Sequence, residues 1–207
     1  MARDTILHRI RTALGRSAEQ AVADPPPVRL RIPVVRMEDR VATMIARLEA
    51  LVAKAGETND PRGVVSEMIE GKTAVASNAP YLAECGITSL PNVRSGVRDR
   101  EELRALCATA DVGITCADYA LADTGSLVML SSPQEARLVS LLPPAHIAIV
   151  PRERILTGLD ELLTLIPEPA NVTSSMVLIT GPSRTADIEQ ILVRGVHGPG
   201  QLAVWIV

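Results

Sequence analysis

Aromatic side chains are almost missing from this chain of 207 residues: there is no Phe, one Trp and two Tyr, yet 47% of the residues are hydrophobic. Any core must therefore be built from Leu, Val, Ile and Ala, which suits packed α/β layers. Lysine is nearly absent too, standing only at Lys54 and Lys72, so Arg supplies almost all of the positive charge. Arg is the better residue for forked recognition of carboxylate or phosphate, although a biased genome composition gives the same count. With a formal net charge of -3 and no basic stretch, the chain lacks the concentrated positive face that nucleic-acid binding requires. The three cysteines, Cys85, Cys107 and Cys116, stand at least nine positions apart. That spacing excludes a disulfide framework and a zinc or iron–sulfur ligand set, and buried thiols are expected instead. No apolar run reaches the roughly 20 residues of a spanning helix, and Arg3, Asp4, Arg9 and Arg11 interrupt the N-terminus, so no signal peptide or transmembrane segment is expected. A cytoplasmic location follows as an expectation.

Ile6, Leu7, Ile10 and Leu14 recur at helical spacing before Gly15, which reads as a helix with a stop signal. Asp24-Pro25-Pro26-Pro27 and Pro33 then cannot sustain regular backbone hydrogen bonds. Residues 1–36 thus read as a helical and proline-rich arm, and residues 37–207 as one α/β domain. In that domain Val41, Met44, Ile45, Leu48, Leu51 and Val52 trace a helix stripe; Asp60-Pro61 and Asp99 open further helices. Short continuous apolar runs at Thr73–Ala76, Val112–Thr115, Leu127–Ser131, Ile147–Val150, Val177–Thr180 and Leu202–Val207 predict strands, with a helix near Glu153–Leu165. Runs that do not alternate suit a parallel sheet covered on both faces, so a Rossmann-like open, mainly parallel sheet is expected.

Polar residues concentrate in three stretches. The first, Gly113 to Ser126, lies between two predicted strands. Its Asp118 and Asp123 suit acid, base or metal-ligand roles, and Thr124, Gly125 and Ser126 can offer hydroxyl and amide donors to an anion. Asp-Thr-Gly-Ser is equally good turn chemistry. The second, Thr180-Gly181-Pro182-Ser183-Arg184-Thr185-Ala186-Asp187-Ile188-Glu189, follows an apolar strand and leads toward a predicted short helix. Gly181 permits close backbone approach, and Ser183, Arg184, Thr185, Asp187 and Glu189 surround a possible anion cradle. Alternatively Asp187 is an N-cap with Gln190 three positions on, and Arg184 a solvated charge. The third, Gly195-Val196-His197-Gly198-Pro199-Gly200, presents His197, which can move a proton near neutral pH or simply face solvent. His146 is the poorer candidate, and no histidine pair has zinc-site spacing, so no metal is expected.

Taken in order, Ala117 to Val128, Thr180 to Glu189 and Gly195 to Pro199 resemble the lactate utilization protein C family, with a lactate-utilization (LUD) domain, over about Val35 to Val207. The resemblance implies a fold similar to the sugar-phosphate isomerase and coenzyme A transferase superfamily. It also implies a subunit of a three-component system oxidising L-lactate to pyruvate, with iron–sulfur clusters in partner subunits and no cofactor on this chain. On that reading one pocket unites the three stretches: Arg184 pairs with a small carboxylate, Thr124 to Ser126 orient it, and Asp123, Asp118 or His197 handles a proton. The alternatives are a non-catalytic assembly subunit anchored by Ile6, Leu7, Ile10 and Leu14, or a stand-alone enzyme for a sugar phosphate or acyl coenzyme A ester. Whether the chain forms a homo-oligomer stays open.

Overall fold

The structure, a computed structural model, describes residues 2–17, 32–186 and 192–207. Asp187 and Glu189, and most of the expected proline arm, lie outside the described residues. The chain divides into two units, residues 1–30 and 31–207. In the first, α1 spans Ala2–Ala13 and ends as its glycine forecasts. Gly15 takes φ +63°, and the N–H groups of Arg16 and Gly15 donate to Arg11 O and Thr12 O, the pair of bonds that closes a helix through a left-handed residue.

The second unit is built on a six-stranded sheet in the order β1-β12-β7-β4-β2-β3. Its strands are β1 (Lys54–Glu57), β2 (Ala74–Ala76), β3 (Val93–Arg94), β4 (Val112–Cys116), β7 (Ala145–Val150) and β12 (Gln201–Ile206). Every pairing in it is parallel. All five residues of β4 and all three of β2 are buried, the result expected of runs with apolar side chains on both faces. On one face α3 (Pro61–Met68) and α4 (Pro80–Glu84) supply Val65 and Leu82 against Ala74, Ile114, Ile147 and Ile149. On the other, α2 (Met37–Ala50) places Val41, Met44 and Leu48 against Ala148, Val204 and Ile206. Helix α5 (Arg100–Thr109) packs Leu103 and Cys107 with Val75 and with Val139 of α6 (Arg137–Leu141). Helix α6 lies so close that a Cβ on Gly113 would sit 1.8 Å from Val139 O, so only glycine fits at this point of β4. The expected helix starts carry real caps: Asp60 accepts from Gly63 N at 2.8 Å and Asp99 from Glu102 N at 2.9 Å.

Three expectations need correction. Leu127–Ser131 and Val177–Thr180 do not join the parallel sheet. They form β6 (Ser126–Leu130) and β9 (Met176–Ile179) of a second sheet, ordered β8-β5-β6-β9, with β5 at Tyr119–Leu121 and β8 at Ile155–Leu156. In it β5 and β9 both run antiparallel to β6. Strand β6, packed with α2 in the core, is as buried as one in a parallel sheet, so its apolar run reads the same, whereas β9 is only half-buried. The continuous helix near Glu153–Leu165 is instead a 3-10 turn, β8 and then α7 (Leu159–Leu165), because Ile155 and Leu156 pair with β5 and Gly158 is extended. Finally, the segment after Ser183 is β10 (Arg184–Ala186), paired antiparallel with β11 (Leu192–Arg194), where a run toward a helix was expected.

Candidate functional site

Because all six strands of the main sheet run the same way, its rims differ: one gathers strand starts, the other strand ends. The loop that presents His197 precedes β12 and therefore stands at the starting, or amino, rim. There a hollow of about 480 Å³ brings together Thr180, Gly181, Ser183, Arg184 and His197, with His146 at its wall. The second and third polar stretches are tied by backbone bonds: Ser183 N donates to Pro199 O at 2.8 Å and Gly195 N to Ser183 O at 3.1 Å. His197 N donates to Ser183 Oγ at 3.4 Å, and the His197 residue is exposed.

Gly181 is buried at φ +82°, and an added Cβ would lie 3.0 Å from the Leu51 side chain. The same residue, at the end of α2, receives the Arg184 guanidinium: Nη2 donates to Leu51 O at 2.6 Å. Arg184 is otherwise exposed, so its fork is held at one corner while the rest faces water. His146 is 1% exposed and shares a 2.8 Å hydrogen bond between Nε2 and Thr115 Oγ1, and its Nδ1 has no partner. Burial lowers its pKa to about 4, so this wall is neutral at physiological pH.

The first stretch reaches this hollow only through hydroxyl groups. Thr124 Oγ1 and Ser126 Oγ lie 2.8 Å apart, and Ser126 Oγ is 2.7 Å from Thr180 Oγ1. Gly125 is spent on the turn: at φ +69° its N–H donates to Leu121 O at 2.9 Å, and a Cβ would come within 2.9 Å of Arg47. Its amide therefore does not point to a ligand. The single hollow expected for all three stretches is also corrected. Asp123 lines a different depression, with Thr157, Gly158 and Glu161, that shares none of the described residues with the Arg184 hollow. Asp118 stands at the far end of β4, where its carboxylate accepts from Leu130 N at 2.6 Å and splices the two sheets. Burial raises its pKa, against the Leu130 bond and the charge of Arg154. Thr185, in β10, is not among the residues that line the hollow.

Sequence reasoning overlooked the ending, or carboxyl, rim. Glu135, 6% exposed, accepts from Ser77 Oγ and, at 3.0 Å, from Cys116 N; its second oxygen has no partner. Burial pushes this carboxyl up to about 7, and pushes the adjacent Cys116 thiol up to about 12. Arg154 donates to Ala117 O at 3.2 Å beside them. Ser77 itself opens into a depression of about 540 Å³ with Asn78, Ser95 and Arg98. Nothing local marks Glu135, since Ser-Ser-Pro-Gln-Glu reads as an exposed turn. Among the described residues no three His, Cys, Asp or Glu side chains are grouped to hold a metal, and no helix is long and apolar enough to cross a membrane.

The architecture is that of an open parallel α/β sheet with a smaller mixed sheet against one face. A family model, the LUD domain, matches residues 37–207, and the chain belongs to that family. Lactate utilization protein C 1 of Bacillus mycoides is 38% identical over 147 residues, 66% of this chain and 63% of that protein. Lactate utilization protein C of Halalkalibacterium halodurans is 29% identical over 95% of this chain and 94% of its own length. A crystal structure of a DUF162 family protein from Deinococcus radiodurans superposes with a TM-score of 0.64 at 18% identity, covering 84% of this chain and 99% of that one. At that identity it shows the shared fold alone.

Proposed function

We propose that this chain serves lactate utilization, as a subunit that binds a small carboxylate such as lactate or pyruvate in the amino-rim hollow. The observation that carries this reading is the joining of Thr180–Arg184 to the His197 loop around one hollow of about 480 Å³. The names of the relatives supply the process. Arg184 pairs with the carboxylate, Ser183 and the Thr124–Ser126–Thr180 hydroxyls orient it, and His197 exchanges a proton with the neighbouring oxygen. Asp123 and Asp118 face elsewhere and take no part. In this reading L-lactate is oxidised to pyruvate by the assembled system, in the cytoplasm, with the electrons leaving to iron–sulfur clusters of partner subunits. Calorimetric titration of the purified chain with L-lactate and with pyruvate tests it. Binding that weakens by about tenfold in Arg184→Ala supports the assignment, and unchanged affinity removes it.

A second reading, an assembly subunit, is favoured by one observation: on α1 Ile6 and Ile10 are 55% and 50% exposed, and Leu14 just beyond it 62%. Three large apolar groups on one face suit a partner surface. Deleting residues 1–36 and measuring co-purification with the iron–sulfur subunits separates the two readings.

A further inference from the structure

The only two lysines in the chain, Lys54 and Lys72, are eighteen positions apart in sequence yet line one hollow. Lys54 opens β1 and Lys72 lies just before β2, so parallel pairing brings both to the amino rim. Arg194, the last residue of β11, is the third cation there, and among the described residues no carboxylate lines the hollow, which encloses about 260 Å³. Both lysines are held. Lys54 Nζ stands 5.6 Å over the Trp205 ring, Trp205 Nε1 donates to Met68 Sδ at 3.2 Å, and Lys72 Nζ donates to Met68 O at 3.2 Å. One indole and one methionine therefore fix the positions of two ammonium groups.

Two further observations point to an absent polar ligand. Arg184 and Arg194 are directly opposed in the β10–β11 ladder, and like charges so placed repel unless an anion lies near. His146 lines this hollow as well as the neighbouring one, and its Nδ1 is a buried polar atom without a partner. The acid within electrostatic reach of Lys72 is Asp111, which does not line the hollow and whose Oδ2 accepts from the Thr73 N–H and hydroxyl, each at 2.8 Å.

We infer that this lysine hollow holds the phosphoryl end of a second ligand, beside and distinct from the carboxylate hollow of Arg184. A single carboxylate would leave two of the three cations unmatched, whereas a phosphate monoester or diphosphate brings close to two negative charges and several acceptor oxygens. Compact ammonium groups are suited to that charge. The volume takes the anionic end of a ligand, since a whole metabolite site usually exceeds about 300 Å³.

The test is calorimetric titration of the full chain with orthophosphate, pyrophosphate and a nucleoside diphosphate, the last two separating a bare anion from a nucleotide. Pyrophosphate should bind, about tenfold more weakly in Lys54→Met or Lys72→Met and undetectably in the double variant, with affinity falling as salt rises. Both lysines are exposed, so the double variant should melt within about a degree of the parent and its loss of binding reports the site. Tighter binding of the nucleoside diphosphate than of pyrophosphate would extend the site beyond the phosphoryl end; equal binding would confine it there. Arg184→Ala should lose lactate while keeping pyrophosphate within about threefold, so failure of the carboxylate reading leaves this one standing. No binding of any of the three anions, or equal pyrophosphate affinity in the double variant, overturns it.

Discussion

At the amino rim of the main sheet stand the exposed cations Lys54, Lys72, Arg184 and Arg194, with Asp111 near Lys72, around a histidine that burial keeps neutral. At the carboxyl rim, besides the exposed Glu57–Arg152 pair, Asp118 and Glu135 are sunk among strand ends with Arg154 beside them. The difference is one of solvation. An exposed cation retains its water and exchanges it for an anion at little cost. A carboxyl removed from water is spent on structure, as Asp118 is on Leu130 N, or keeps its proton up to about pH 7, as Glu135 does. The one sheet thus carries a rim of solvated cations and a rim where two carboxyls are buried among strand ends.

The largest effect should come from breaking what both rims share. Gly113→Val forces a side chain into Val139 O and should cost more than about 4 kcal/mol, read as loss of a cooperative thermal transition. Next come the two buried ionisable groups, which act in opposite directions. Glu135 is raised from 4.5 to about 7, so its favourable contribution is complete below pH 4.5 and is lost as pH rises through about 7. Glu135→Gln keeps an acceptor for Ser77 and Cys116 N, and should be the more stable protein by about 3 kcal/mol at pH 8, with the gain vanishing near pH 4.5. His146 is lowered from 6.5 to about 4, so its contribution is complete above pH 6.5 and is lost as pH falls through about 4. Denaturant unfolding should show about 3 kcal/mol lost over that window in the parent and not in His146→Gln. The smallest stability effect belongs to the exposed rim: Arg184→Ala should stay within about 0.5 kcal/mol in urea titration while losing its anion. A large destabilisation there would make Arg184 a structural tie to Leu51 and erase the contrast between the rims.

Much of the frame was legible. Caps at Asp60 and Asp99, the helix stop at Gly15 and the buried runs of β2, β4, β7 and β12 follow from local chemistry, and the observed elements agree to within a residue or two. Less visible was β1, since Lys-Ala-Gly-Glu carries little apolar signal on a sheet edge. The second sheet was misplaced because burial, not strand direction, shapes an apolar run. Within the candidate site, Ser183, Arg184 and His197 were singled out and do converge, while Asp123 was grouped with them by polarity and lies in another hollow. Glu135 and the paired lysines were not legible, as their significance rests on neighbours 19 to 58 and 18 positions away.

The amino-acid sequence by itself determined the inventory: an aliphatic core, parallel β/α construction, scarce lysine, and polar loops between apolar strands. These depend on interactions between residues close along the chain, which composition and periodicity record. Tertiary structure alone decided which loops share a rim, that Arg184 and His197 meet while Asp123 does not, and that one carboxyl is stripped of water. Those outcomes depend on strand order, since the placement of β12 between β1 and β7 brings the chain's last strand beside one of its first, and no local pattern encodes that crossing.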